Sequence, residues 1–149
     1  MKSLKSLALL ALTFSTLTLI AAEPDAGPPG SVNNLMLTVI TPATNTIWGV
    51  EDPQTDEEWQ VLIDAAAQLI DVSRQIKNGG TGPNDSTWAE DPAWQQFADV
   101  LIESGIEIQA AARARDLDTL MDVSNEKMYP PCEECHLKFH PNMQQQDNN

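Results

Sequence analysis

Apolar residues recur every three or four positions through most of this chain, in segments separated by Pro, Gly and capping residues. This spacing is typical of helices that bury one face, whereas the alternation expected of half-buried strands is scarce. The sequence therefore predicts an all-α protein, in which four helices with short links form an antiparallel four-helix bundle.

The four predicted helices have recognisable beginnings or ends. The first covers about residues 31–48 and should be kinked by Pro42. The second helix runs from the capping box Thr55-Asp56-Glu57-Glu58 to Gly79-Gly80. The third begins at Asp91-Pro92, and the fourth begins near Asp116.

Two positions in these helices leave alternatives open. Gly105 lies on the apolar face of the third helix, which indicates either close helix packing or room for a flat ligand. Pro130-Pro131 makes continuous helix across Tyr129 to Pro131 unfavourable, because proline has no amide donor and restricts the residue before it. Pro131 is alternatively the first residue of a fresh helical piece that carries Cys132 to Phe139.

The first 22 residues have the layout of a secretory signal peptide, with basic Lys2 and Lys5 before an apolar run too short to span a membrane. We expect cleavage near Ala22, a flexible leader over residues 23–31, a four-helix domain over 32–140 and a disordered tail over 141–149. Removing residues 1–22 takes away two lysines and no acidic residue, so the net charge changes from −14 to −16. Such a charge argues against binding to nucleic acid or anionic lipid, and the export signal predicts a periplasmic protein.

The segment Cys132-Glu133-Glu134-Cys135-His136 has the C-x-x-C-H form of a c-type haem attachment site. Two thiols three residues apart can add to the two vinyl groups of one porphyrin, and the adjacent His136 is then the axial ligand of the iron. The alternatives are a disulfide or thioredoxin-like redox pair, and a zinc site that also uses His140. No βαβ pattern accompanies the pair, and four ligands within nine residues give poor tetrahedral geometry. We therefore expect one covalent haem c.

With its signal peptide, four helices and single C-terminal C-x-x-C-H motif, the chain resembles the class II cytochromes c, the cytochrome c prime family. The resemblance covers about residues 32–139. It is closest in Ala112-Arg113-Ala114-Arg115-Asp116-Leu117-Asp118-Thr119-Leu120, which is similar to the start of the family's fourth helix, and in Cys135-His136-Leu137-Lys138-Phe139. Pro130-Pro131 and His140 depart from the family's usual pattern around the haem.

The resemblance implies that the first helix supplies the second axial position. Met36 lies near the position of the methionine ligand in low-spin members, and is otherwise a core residue. With Met36 as a ligand, the chain is expected to be an electron carrier in the periplasm and not an enzyme. Without that ligand, its haem iron is expected to be five-coordinate and to bind nitric oxide or carbon monoxide. A redox partner is expected to dock through a basic face, or on the cationic residues Lys127 and Lys138. The resemblance also implies a homodimer.

Overall fold

Five helices and no strand make up residues 26–140, the part of the chain that the computed structural model describes, so the all-α prediction is confirmed there. They are α1 (Val32–Leu35, a π-helical segment Met36–Ile40, and Thr41–Trp48), α2 (Asp56–Lys77), α3 (Asp85–Ala89), α4 (Pro92–Ala114) and α5 (Leu117–Asp122, a π-helical segment Val123–Met128, and Tyr129–Phe139). None of these helices is both long enough and apolar enough to cross a membrane. The predicted signal peptide and C-terminal tail lie outside the described residues.

Three helices begin at the residues that the sequence predicts. The Thr55 hydroxyl accepts the amide of Glu58 at 3.2 Å, and the Glu58 carboxylate accepts the amide of Thr55 at 2.9 Å, which confirms the capping box. Asp91 and Asp116 cap α4 and α5 through their carboxylates. Each cap satisfies an amide that has no partner inside its helix.

The long helices α2 and α4 pack against each other in antiparallel directions. The Trp94 indole, near the start of α4, donates to the carbonyl of Ile76, near the end of α2, at 2.8 Å. The Gln109 amide, later in α4, donates to the carbonyl of Ile63, earlier in α2, at 3.2 Å. These two bonds fix the register of the pair.

Gly105 lies at a close contact between α4 and α2. A Cβ at this position would be 2.8 Å from Cγ1 of Ile70 and 3.6 Å from the carbonyl oxygen of Ala66. The position is buried and does not line the apolar cavity described below. Of the two interpretations, the structure supports close helix packing.

The other two long helices, α1 and α5, pack against this central pair. The ammonium group of Lys127 in α5 pairs with Glu107 and Glu103 of α4 at 2.6 and 3.5 Å. Lys138, near the end of α5, pairs with Asp91 at the start of α4 at 2.8 Å. Because the end of α5 meets the start of α4, these two helices are also antiparallel.

The expected break in the helix at Pro130-Pro131 is wrong, because α5 is helical throughout. The two prolines come one residue after the π-helical segment Val123–Met128 and fall in the first turn of the next α-helical piece, which begins at Tyr129. Pro42 occupies the same place after the π-helical segment Met36–Ile40. Proline is well tolerated in the first turn of an α-helical piece, and here the chain is helical on both sides of each proline.

The backbone before α1 is held by the loop that joins α2 to α3. The Thr81 hydroxyl donates to the carbonyl of Pro29 at 2.9 Å, and the Thr81 amide donates to the carbonyl of Gly30 at 3.2 Å. These two hydrogen bonds connect residues 29 and 30, which lie within the leader predicted over residues 23–31, to a loop about 50 residues away.

Candidate functional site

An apolar cavity of about 280 Å³ lies between α1, α4 and α5, close to the lower end of the roughly 300–1,000 Å³ found for cofactor and ligand sites. Exposed polar residues at its rim include Thr41, Asn45 and His140. Its wall contains the rings of Trp48, Trp88, Trp94, Phe97 and Phe139 and the aliphatic side chains of Val32, Leu37, Ile40, Ile76 and Leu101. The cavity therefore suits a large apolar group that keeps a polar edge near solvent.

The predicted attachment residues Cys132, Cys135 and His136 all line this cavity. The helical segment Tyr129–Phe139 carries them, and its one-turn spacing places both cysteines on the same wall. Cys135 is buried and Cys132 is half-buried, and both are free thiols. The structure thus brings together every residue of the predicted motif that has chemical function.

Burial changes the ionisation of both thiols. It raises the pKa of Cys132 to about 11 and that of Cys135 to about 12, with the neighbouring Cys132 as a second cause for Cys135. Both groups are therefore protonated at neutral pH. A thioredoxin-like pair requires the opposite, because its attacking cysteine has a lowered pKa.

His136 lines the same wall one residue after Cys135, and burial, followed by the charge of nearby His140, lowers its pKa. The neutral imidazole, which is the form that binds a metal, is therefore favoured. His140 also lines the cavity, and its backbone amide donates to the carbonyl of His136 at 2.9 Å. The two histidines thus belong to the same side of the cavity, as the four-residue spacing predicts.

Met36 lines the cavity from α1, at the first residue of the π-helical segment Met36–Ile40. Its carbonyl accepts the amide of Thr41, five residues later, which is the hydrogen bond that defines a π-helical turn. Leu37 lines the cavity as well, whereas Leu35 does not. Met36 therefore shares one cavity with the cysteines and His136.

An aromatic cluster holds the end of α5 against the start of α4. The rings of Trp88 and Trp94 stack with centroids 5.6 Å apart, and Phe139 meets Trp94 edge-on at 5.1 Å and Trp88 at 6.1 Å. Such contacts add about 0.5–1.5 kcal/mol each to the effect of burial. They fix the helix that carries the cysteines relative to the rest of the wall.

The zinc alternative has no geometric support among residues 26–140, since no three His, Cys, Asp or Glu side chains there are arranged to hold a metal ion. The two cysteines are also not joined to each other. The chemistry of the wall is therefore that of two thiols and an imidazole beside an apolar space.

Asp85, which is not among the predicted functional residues, joins α1 to the loop between α2 and α3. It is only 3% exposed, and one oxygen of its carboxylate accepts the amides of Val32 and Gly82, each at 2.8 Å. A Cβ at Gly80 or Gly82 would lie within 2.7 Å of a carboxylate oxygen, so these positions need glycine. The signal for this contact in the sequence is that Gly80 and Gly82 shortly precede Asp85. Val32 also lines the cavity, so Asp85 fixes the start of the wall that contains Met36.

The two lysines predicted as a cationic patch are both neutralised by ion pairs. Hydrogen bonding to Glu107 is the largest cause of the raised pKa of Lys127, and hydrogen bonding to Lys138 is the largest cause of the lowered pKa of Asp91. Neither lysine therefore provides an unpaired positive charge beside the cavity.

No protein-family model matches this chain, and neither the curated proteins nor the solved structures give a significant match to it.

Proposed function

We propose that this chain is an exported, periplasmic class II c-type cytochrome that carries single electrons through one covalently bound haem c. The observation that supports this proposal best is that Cys132, Cys135, His136 and Met36 line the same apolar cavity. In this proposal α1, α2, α4 and α5 form an antiparallel four-helix bundle. The antiparallel packing of α2 with α4 and of α4 with α5 supports that arrangement.

The residues present fit haem c in number and in chemistry. Cys132 and Cys135 are protonated thiols on one wall, and each can add across a vinyl C=C bond: the sulfur bonds to one carbon and the thiol proton goes to the other. This addition needs no external oxidant or reductant. It requires two free thiols, which distinguishes it from a structural disulfide.

The remaining wall would bind and isolate the group. The neutral imidazole of His136 would bind the iron, and the aromatic and aliphatic side chains of the wall would exclude water from the bound group. When bound, the haem iron supplies one-electron oxidation and reduction, tuned by its axial ligands and by burial. Thr41, Asn45 and His140 are the polar groups at the rim.

The test of attachment is haem-dependent peroxidase staining of the denatured protein, expressed with an export and haem-maturation system, on a gel. The wild type is expected to keep the stain. Replacement of both Cys132 and Cys135 by Ala should abolish it, whereas the control His140→Ala should retain it. A wild type that loses all stain on denaturation would contradict covalent attachment.

The role of Met36 separates the electron carrier from the gas-binding alternative. If Met36 is an axial ligand, Met36→Ala should convert a low-spin spectrum to high-spin, lower the reduction potential and allow rapid carbon monoxide binding. The neighbouring Leu37→Ala, which also changes the cavity wall, should leave the spin state unchanged. A high-spin wild type that binds carbon monoxide and does not respond to Met36→Ala would instead favour the gas-binding protein.

A further inference from the structure

An exposed face of α5 runs beside the attachment motif. This α5 face consists of Tyr129, Pro130, Glu133, Glu134 and Leu137, all of them exposed. Tyr129 is 51% and Leu137 46% exposed, although both are large and apolar. The four-residue spacing of Tyr129, Glu133 and Leu137 places them along one line of the helix. The face thus combines apolar contact area with carboxylates.

The charge of the α5 face is not compensated by neighbouring cations. Glu133 and Glu134 form no ion pair among residues 26–140. Lys127 and Lys138, the two lysines of the same helix, are paired with residues of α4. The face therefore has a local negative potential, on a chain that is strongly acidic overall.

The α5 face also borders the cavity. The ring of Tyr129 contacts that of Trp48 edge-on, with centroids 6.2 Å apart, and Trp48 lines the cavity. Cys132 and His136, on the same helix, line it from the neighbouring side. A protein that covers Tyr129 would therefore be separated from the proposed haem by two side chains, those of Tyr129 and Trp48.

We propose that the α5 face is the docking surface for a redox partner protein that presents a cationic patch around a small apolar centre. This inference rests on the proposed electron-transfer function. Charge complementarity identifies the occupant, because a second copy of this chain or an anionic membrane would carry the same sign of charge and be repelled. Carboxylates around the contact would raise the association rate, and Tyr129 and Leu137 would supply the apolar contact.

The test uses the haem-loaded protein and zinc-substituted mitochondrial cytochrome c, a small basic protein whose excited state is quenched by electron transfer. The rate constant for quenching by the ferric wild type is expected to fall steeply with ionic strength. Glu133→Gln with Glu134→Gln should lower this rate constant about tenfold at low salt and flatten its salt dependence. Leu137→Gln should lower it with the salt dependence kept.

The matched control changes two other exposed carboxylates, Glu57→Gln with Asp64→Asn in α2, and alters the net charge by the same amount. An equal loss of rate in this control would overturn the proposal, because the effect would then follow net charge and not the α5 face. The proposal would also be overturned if the wild type formed a dimer at low salt and Leu137→Gln dissociated that dimer. The α5 face would then be the contact with a second copy of the chain.

A separate measurement distinguishes failure of docking from failure of the proposed function. Photoreduced lumiflavin is uncharged and should reduce the wild type and all variants at the same rate. A wild type that carries no haem, or that lumiflavin does not reduce, would refute electron transfer itself. Normal reduction by lumiflavin, with no specific effect of the α5 variants on the basic probe, would refute the docking surface alone.

Discussion

Replacing Asp85 with Ala is expected to release the start of α1 from the loop between α2 and α3. One carboxylate oxygen of this 3% exposed residue accepts two amides, those of Val32 and Gly82, each at 2.8 Å. A hydrogen bond to a charged group contributes about 1.5–3 kcal/mol net. Loss of both should therefore lower the free energy of unfolding by about 3–6 kcal/mol, a large part of the roughly 5–15 kcal/mol typical of a domain.

Asp85→Asn is the matched control, because its carbonyl oxygen can accept the same two amides in nearly the same shape. Two neutral hydrogen bonds contribute about 0.5–1.5 kcal/mol each, so this variant should lose about 2–3 kcal/mol. The difference between Ala and Asn isolates the hydrogen bonds from the charge. If the proposed function holds, both variants should also carry covalent haem, since Asp85 does not line the cavity.

Urea unfolding of the haem-loaded proteins measures these free energies, and amide exchange of Val32 reports the bond directly. Exchange at Val32 should be faster in Asp85→Ala than in Asp85→Asn, because only the alanine variant leaves this amide without an acceptor. Equal stability of the two variants, or a loss below about 1 kcal/mol in Asp85→Ala, would refute the idea that this carboxylate holds α1 in place.

Three further predictions follow from the packing and the ion pairs. Gly105→Ala should lower the free energy of unfolding, because overpacking against Ile70 costs about 1–3 kcal/mol, whereas the gain in helix propensity is only about 1 kcal/mol. A variant that is more stable than the wild type in urea would contradict this. Hydrogen bonding to Lys138 lowers the pKa of Asp91, so the ionised carboxylate stabilises the fold above its unfolded-state pKa, and this stabilisation is lost as the pH falls through its folded-state pKa. Asp91→Asn should therefore lose less stability than the wild type on acidification. Superimposable acid-unfolding curves of the two proteins would exclude the effect. Finally, protein produced without haem maturation should lack the cooperative thermal transition of the holoprotein, because its apolar cavity stays unfilled; calorimetric transitions of equal size would argue against this coupling.

The features that could be predicted from the sequence are those determined by neighbouring residues. Thr55 and Glu58 form their capping box within one turn, so the local pattern is sufficient. The spacing of Cys132, Cys135 and His136 likewise fixes their common side on any helix, and they line one cavity. In both cases the relevant geometry is contained in about one helical turn.

The features that could not be predicted depend on contacts between distant segments or on an altered helical period. Asp85 bonds to Val32, 53 residues away. The π-helical segment Met36–Ile40 is a departure from the α-helical period that the apolar spacing of the first helix does not indicate. A π-helical turn spans more residues than an α-helical turn, so periodicity of 3.6 residues assigns the wrong face to residues beyond it.

Departures from regular helical geometry are concentrated on the two helices that carry the predicted haem ligands. The regular helices α2 and α4 pack closely at Gly105, where an added Cβ would lie 2.8 Å from Cγ1 of Ile70. In α1 the π-helical segment begins at Met36, and in α5 the π-helical segment ends at Met128, four residues before the first of the predicted attachment cysteines, Cys132. Segments of this kind occur frequently at functional sites. The predicted residues Met36, Cys132, Cys135 and His136 therefore lie on the two irregular helices, and the regular helix α4 contributes Trp94, Phe97 and Leu101 to the cavity wall.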